Sequence, residues 1–354
     1  MQKRKILIMG ASYGSLLGMK LALAGHDVTL VCLPEEARLI NENGAIVRIP
    51  VKGREGLVEV NTKNLPGKVV AGGTTDFDPK NFDLVALAMQ EPQYRVPAVR
   101  ELLERVAKSG RPCMSIMNMP PLPYLKRIPG VDGEKLRESF TDSTVWDSFD
   151  PKLMTLCSPD PQAFRPPDQP VNVLQVRLPT NFKAARFDDE KNTEILRQLE
   201  RDIEGARFEV NGEKIELPVK LKAHDSIFVP LAKWAMLLAG NYRCVKPDSV
   251  VSIKEAVHGD IAASKAIYEW VVELCVALGA ARADMVPFEK YAKAAESLQS
   301  PSSAARALAA GAPAIERVDR LVQSIAAQKG KRSPELDKIV ETVDAWLVKN
   351  RRKG

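Results

Sequence analysis

The strongest constraint on the fold lies near the N-terminus, where Ile6-Leu7-Ile8-Met9 runs directly into Gly10-Ala11-Ser12-Tyr13-Gly14-Ser15. An apolar run with no polar alternation suits a strand covered on both faces, and the glycines after it turn the chain into a helix over residues 15–24. Asp27-Val28-Thr29-Leu30-Val31-Cys32-Leu33 repeats the buried-strand pattern, and Pro34 opens another helix, where its missing N–H costs nothing. Residues 82–89, 96–108 and 112–117 continue as strand, helix and strand. Such alternation predicts an α/β fold with a doubly wound, mostly parallel sheet of Rossmann type.

The pattern changes after Phe140. Short strand-like pieces such as residues 171–176 follow, with a loop over 158–170 that carries five prolines. After Pro218 the spacing of apolar residues is near 3.6, predicting helices over 229–245, 261–278, 288–298, 304–310, 315–327 and 334–349. The 354 residues therefore read as two domains, a dinucleotide-type domain over 1–215 and an all-helical domain over 216–354.

Composition narrows the partners. Lys and Arg number 51 against 45 Asp and Glu, an excess that suits an anionic ligand but is too diffuse for a nucleic-acid surface. Aromatic residues make up 6%, too few for a surface of stacked bases. The basic tail Lys349-Asn350-Arg351-Arg352-Lys353 reads as a solvated terminus. Five scattered cysteines, Cys32, Cys113, Cys157, Cys244 and Cys275, form no CxxC pair and read as reduced packing residues. His26, His224 and His258 are not spaced to share a metal, and none is expected.

The basic start, the apolar run and Ala22-Leu23-Ala24 imitate a secretory signal, but Lys20 and the break at Tyr13-Gly14-Ser15 interrupt it. No later apolar run is long enough to span a bilayer. The expectation is a cytoplasmic chain with a small-molecule substrate, no membrane or nucleic-acid partner, and a second copy of itself as the partner in a homodimer.

A glycine turn between a strand and a helix is where dinucleotide folds hold a pyrophosphate, on the free N–H groups of the helix. Gly10, Ala11, Ser12, Tyr13, Gly14 and Ser15 are the candidate cofactor-binding residues. The turn departs from GxGxxG because Ser12 replaces the middle glycine, and Gly18 is left for the helix–sheet contact. The same residues spell GxSxG, the nucleophile elbow of α/β-hydrolases, but on the first strand rather than deep in the sheet. At the tip of the second strand, Cys32-Leu33-Pro34 offers neither the acid that favours NAD nor the arginine that favours NADP. Arg38 is the nearest cation there, and Glu35 and Glu36 are the nearest acids.

The order of these segments resembles the ketopantoate reductase (2-dehydropantoate 2-reductase) family, in divergent form. Lys5 to Val31 is similar to that family's first βαβ unit, and Asn41-Glu42-Asn43-Gly44 to the glycine before its antiparallel excursion. Gln90 stands where the resemblance implies a cofactor-site lysine, and Gln93 matches a glutamine. Asn118, in Ile116-Met117-Asn118-Met119, matches an asparagine near nicotinamide and substrate. Lys233 and Asn241 match the first and last positions of a Lys-x-x-x-Asn-x-x-x-Asn helix, with Leu237 in place of the middle asparagine, a substrate contact. Ser302-Ser303 and Gly311-Ala312-Pro313 resemble the segment leading to a substrate-binding glutamate. The ungapped register puts Ile315 at that glutamate, with Glu316 beside it.

The resemblance implies a Rossmann domain followed by a helical one, an active site in the cleft between them, and NADP or NAD as cofactor, with a lean to NADP. Its candidate catalytic residues are Lys233, Asn118 and Asn241. Gln90 and Asn118 join the cofactor contacts, and Asn241, Leu237, Ser303 and Glu316 the substrate contacts. On a regular helix, positions 233, 237 and 241 share a face within about 80°. Lys233 lies among Trp234, Met236, Leu237 and Leu238, a setting for a general acid or for a lysine lying along apolar surface. The expected function is hydride transfer between nicotinamide and a small ketone or 2-oxo acid. A non-catalytic nucleotide-sensing or interaction protein and an opine-type dehydrogenase are the alternatives.

Overall fold

The computed structural model describes residues 2–352, so Lys353 of the basic tail lies outside the described residues. The chain divides into two compact units. One comprises Met1–Met89, Gln93–Met117 and Asp147–Asp225, the other Gln90–Pro92, Asn118–Trp146 and Ser226–Gly354.

Among the described residues the first unit has fourteen strands: β1 (Lys5–Met9), β2 (Asp27–Val31), β3 (Ile46–Pro50), β4 (Leu57–Asn61), β5 (Val69–Gly72), β6 (Leu84–Leu87), β7 (Cys113–Ile116), β8 (Met154–Ser158), β9 (Gln162–Phe164), β10 (Val173–Leu178), β11 (Phe182–Ala185), β12 (Phe208–Val210), β13 (Glu213–Ile215) and β14 (Leu221–His224). Its main sheet runs β14-β11-β8-β7-β6-β1-β2-β5. The six strands from β8 to β5 are mutually parallel and, counted in chain order, stand 3-2-1-4-5-6, the doubly wound dinucleotide arrangement. β11 pairs antiparallel with β8, and β14 parallel with β11. A second sheet, β4-β3-β10-β9, holds the antiparallel excursion.

Two corrections concern this unit. The division falls after Asp225 rather than at 215, because β14 hydrogen-bonds to β11 and stays with the sheet, so the chain is not yet helical after Pro218. The first helix, α1 (Ser12–Leu23), starts three residues before the expected position, inside the glycine turn. It lies close on the sheet because Gly14 and Gly18 face it: a Cβ there would stand 3.0 Å from Ile8 Cγ2 and 3.2 Å from Val28 Cγ1 respectively. α2 (Pro34–Asn43) starts at the expected proline, and α3 (Pro97–Ser109) and α4 (Glu190–Gly205) complete the helices used below.

The second unit is helical, with helices at Ile253–His258, Ile261–Leu278, Phe288–Ala295, Ser303–Ala309, Val318–Gln328 and Pro334–Arg351. Side chains of Ser252, Asp260, Ser302 and Ser333 cap four of them by accepting backbone N–H bonds. The expected helix over 229–245 is instead a relay of a 3₁₀ turn (Val229–Ala232), an α turn (Lys233–Met236), a π turn (Leu237–Asn241) and another 3₁₀ turn (Tyr242–Cys244). Gly240 is required inside the π turn, since a Cβ there would collide with the Tyr291 hydroxyl, which donates to Met236 O at 3.1 Å. The helix expected from 315 begins at Val318, because Tyr242 and Arg317 hold the preceding residues out of helical geometry. Among the described residues no helix is long and apolar enough to cross a membrane.

Candidate functional site

The glycine turn sits at the carboxyl ends of three adjacent parallel strands. Gly10 N donates to Val31 O at the end of β2 (2.9 Å), and Ala88 N, past β6, donates to Met9 O (2.8 Å). Gly10 has φ +101°, and a Cβ on it would lie 2.7 Å from Ala88 O, so both conformation and space require glycine. Ala11, the residue before α1, provides no side-chain cap. Ser15 N donates to Ala11 O (3.1 Å), and the amides before it have no carbonyl within the helix to meet. A close backbone approach and an uncapped, twelve-residue helix form a cradle that fits a pyrophosphate.

Not every residue of the turn serves that cradle. Ser15 is buried and its hydroxyl donates to Ala11 O at 2.5 Å, so it caps its own turn instead of facing a phosphate. Gly14 packs on Ile8 and Leu30, taking the helix–sheet role expected of Gly18 alone. Tyr13 turns away: its hydroxyl donates to Pro161 O (3.0 Å) and its ring meets Phe182 edge-on. That leaves Gly10, Ala11 and the half-buried Ser12 as the turn's candidates for meeting an anion.

The second unit holds a pocket lined by Gln90, Asn118, Leu237, Asn241, Tyr242, Ser303 and Glu316, with Ala304, Ala307 and Ile315 forming an apolar wall. Of the expected catalytic and substrate residues, Asn118, Leu237, Asn241, Ser303 and Glu316 therefore come together, and Gln90 joins them. Lys233 does not line this pocket. It is half-buried on the α turn before the π turn, and the change from four-residue to five-residue bonding breaks the common face expected for 233, 237 and 241.

Glu316 is the acid of the pocket. Its carboxyl accepts from Glu91 N (3.3 Å) and Asn118 Nδ2 (3.4 Å), while burial pushes its pKa up to about 7. Glu91, buried with its carboxylate bonded to Thr141 N (3.0 Å) and Oγ1 (2.8 Å), adds like-charge repulsion. The other end of the Asn118 amide, Oδ1, is buried with no partner, which leaves an acceptor for a ligand's donor. Ser302, not Ser303, caps the helix over 303–309 and also donates to Asn241 O (2.7 Å), which fixes the π turn and frees Ser303 to line the pocket.

Sequence reasoning missed the residues that aim Glu316. The Tyr242 hydroxyl donates to Glu316 O and accepts from Val318 N (2.9 Å), straddling the segment. Beyond it, Arg317 forks onto Asp319 (2.9 and 2.8 Å) and reaches Asp344 (2.6 Å). Apart from Asp319, two residues from Arg317, these partners lie tens of residues away, beyond any local spacing rule. The only sequence hint was the dense alternation of charge in Glu316-Arg317-Val318-Asp319-Arg320.

No family model and no curated protein matches the sequence. Solved structures do match. The 2-dehydropantoate 2-reductase from Methylococcus capsulatus is similar over 98% of this chain and 97% of its own, at 14% identity and a TM-score of 0.66. A PanE/ApbA family ketopantoate reductase from Ralstonia eutropha JMP134 matches over 98% and 99%, at 15% identity and a TM-score of 0.62. A dimeric ketopantoate reductase from Staphylococcus aureus matches over 98% and 99%, at 13% identity and a TM-score of 0.57. The fold is that of the ketopantoate reductases. Full-length coverage extends the ketopantoate reductase likeness to both units, the parallel sheet and the helices alike.

Proposed function

We propose that the chain is an NAD(P)-dependent oxidoreductase that reduces a small ketone or 2-oxo acid to the alcohol. The observation that carries this is the pocket in which Asn118, Asn241, Ser303 and the half-buried Glu316 converge, on a chain with a ketopantoate reductase fold. The glycine turn holds the cofactor through the backbone of Gly10, Ala11 and Ser12, and NADP is the preferred form. When bound, a nicotinamide supplies a hydride at its C4.

The chain's own residues then handle the oxygen and its proton. Lys233, outside the pocket lining on the α turn that runs into Leu237, would give a proton to the carbonyl oxygen as the carbon gains the hydride, so that the product is a neutral alcohol. Asn118 holds a donor of the substrate at its orphaned Oδ1, and Asn241 and Ser303 supply polar contacts beside it. Glu316 near pH 7 is poised to accept a hydrogen bond or to share a proton with a substrate hydroxyl. Leu237, Ile315, Ala304 and Ala307 make the opposite wall, which suits an alkyl substituent better than a second polar end. The working form is a homodimer, the state named for the Staphylococcus aureus protein.

Oxidation of NADPH followed over a panel of small ketones and 2-oxo acids tests the proposal, with Lys233→Ala beside the wild type. Turnover on at least one branched-alkyl carbonyl is expected. Lys233→Ala should lower it by about a hundredfold or more, the range of a positioned general acid, with cofactor affinity kept. Lys233→Arg should rescue little, since a guanidinium does not readily release its proton. Cofactor binding with no turnover across the panel would contradict the reading.

A further inference from the structure

The pocket of the second unit is one-sided in charge. Among the described residues that line it there is no lysine, arginine or histidine, and its acid is the half-buried Glu316. A second acid, Glu91, stands behind and is buried, with its backbone N–H on Glu316 Oε1 at 3.3 Å. Arg317, next in sequence, is already committed: its guanidinium is spread over Asp319 (2.9 and 2.8 Å) and Asp344 (2.6 Å). The Glu316 carboxyl also orients the Asn118 amide. Asn118 Nδ2 donates to Glu316 Oε2 (3.4 Å), so the end left buried without a partner is the oxygen, Oδ1. An amide oxygen and a carboxyl therefore stand side by side as acceptors, with no positive group in the lining to answer them. The cavity is small, about 30 Å³, room for roughly two or three water-sized groups.

We propose that the substrate brings a protonated amine into this pocket, so that the chain reduces an α-amino ketone with an alkyl arm to the vicinal amino alcohol. The proposal rests on the oxidoreductase reading above and names its substrate class. A carboxylate placed here would join Glu316 and Glu91 with no cation to pair with it, and a buried unpaired charge is costly. An ammonium has three donors and no acceptor, the complement of Asn118 Oδ1, the Glu316 carboxyl and the Ser303 hydroxyl oxygen. An aminomethyl arm also matches the cavity in size. A cation beside Glu316 favours its charged form, so the carboxyl, whose pKa is about 7 without such a partner, ionises on binding and completes the pair. Leu237, Ala304, Ala307 and Ile315 take the alkyl arm. In the reaction the carbonyl carbon gains a hydride and its oxygen a proton, the reduced nicotinamide is oxidised, and the amine is unchanged.

Three ketones that share an isopropyl arm test this, the other arm being aminomethyl, hydroxymethyl or a bare carboxylate, each followed by NADPH oxidation at neutral pH. The wild type is expected to reduce the aminomethyl ketone with a kcat/KM roughly tenfold or more above the hydroxymethyl one, the worth of one charged hydrogen bond, and the carboxylate ketone least. Glu316→Gln keeps the shape and removes the negative charge, and should cut the amino-to-hydroxy ratio by about the same factor, through KM more than kcat. Asn118→Leu removes the second acceptor and should lower the same ratio, which keeps the test open should the first variant not fold. A preference for the carboxylate ketone, an aminomethyl ketone no better than the hydroxymethyl one, or a ratio unchanged in either folded variant would each overturn the proposal. Reduction of other carbonyls but none of these three would overturn it alone. A wild type that reduces no carbonyl of any kind would overturn the oxidoreductase reading itself, and this proposal with it.

Discussion

Glu316 is a carboxyl whose pKa, about 7 in the folded chain, sits well above the roughly 4.3 of an unfolded glutamate. The folded state therefore holds its proton over a range where the unfolded state has lost it. The stability linked to that proton is fully present below pH of about 4 and is lost as pH rises through about 7. Above that window, ionised Glu316 costs on the order of 3 kcal/mol by the size of the shift. Glu316→Gln keeps the shape and removes the titration. Thermal unfolding of both forms from pH 4 to 8 should show the variant gaining on the wild type as pH rises, and the more stable of the two at pH 8. Parallel curves would mean that the carboxyl is better solvated than its position between Glu91 and Asn118 implies. The sequence drew attention to Glu316 only as the neighbour of Ile315; it takes the fold to bring the acid to the pocket and to make the isoleucine part of its apolar wall.

Elements differ in how far local sequence determines them. Buried parallel strands such as β1 and β2 were readable because continuous apolar runs have few other homes. The edge strands β5 and β14 were not, since each is four residues long and is defined by its partner, β2 or β11. The π turn over 237–241 was equally hidden. A 3.6-residue period continues through it in the sequence, and only the packing of Gly240 on Tyr291 reveals the extra residue in the ladder. α1 is the element on which the cofactor reading depends. Ser12→Asp puts a negative charge at the first position of an uncapped helix, which should hold or raise the stability of the free protein by about 0.3–1 kcal/mol. The same charge repels a pyrophosphate, so thermal stabilisation by added NADPH should disappear. Retained stabilisation in this variant would move the pyrophosphate away from the turn.

At the scale of the whole molecule, the architecture of the first unit was legible because strand and helix alternate with distinct periods, and the second because apolar residues recur near every 3.6 positions along it. The assignment of residues to units was less so. Gln90–Pro92 and Asn118–Trp146 leave the first unit's stretch of sequence to join the second, and they carry Gln90 and Asn118 into the pocket with Asn241 and Glu316. No linear boundary expresses that exchange. We propose that this chain passes a hydride from nicotinamide C4 to a small carbonyl carbon. Mass spectrometry of the alcohol formed with NADPH deuterated at C4 on the transferring face tests it most directly. A product one mass unit heavier is expected, with the deuterium on the former carbonyl carbon; cofactor oxidation that leaves no alcohol carrying the label would contradict hydride transfer to a carbonyl.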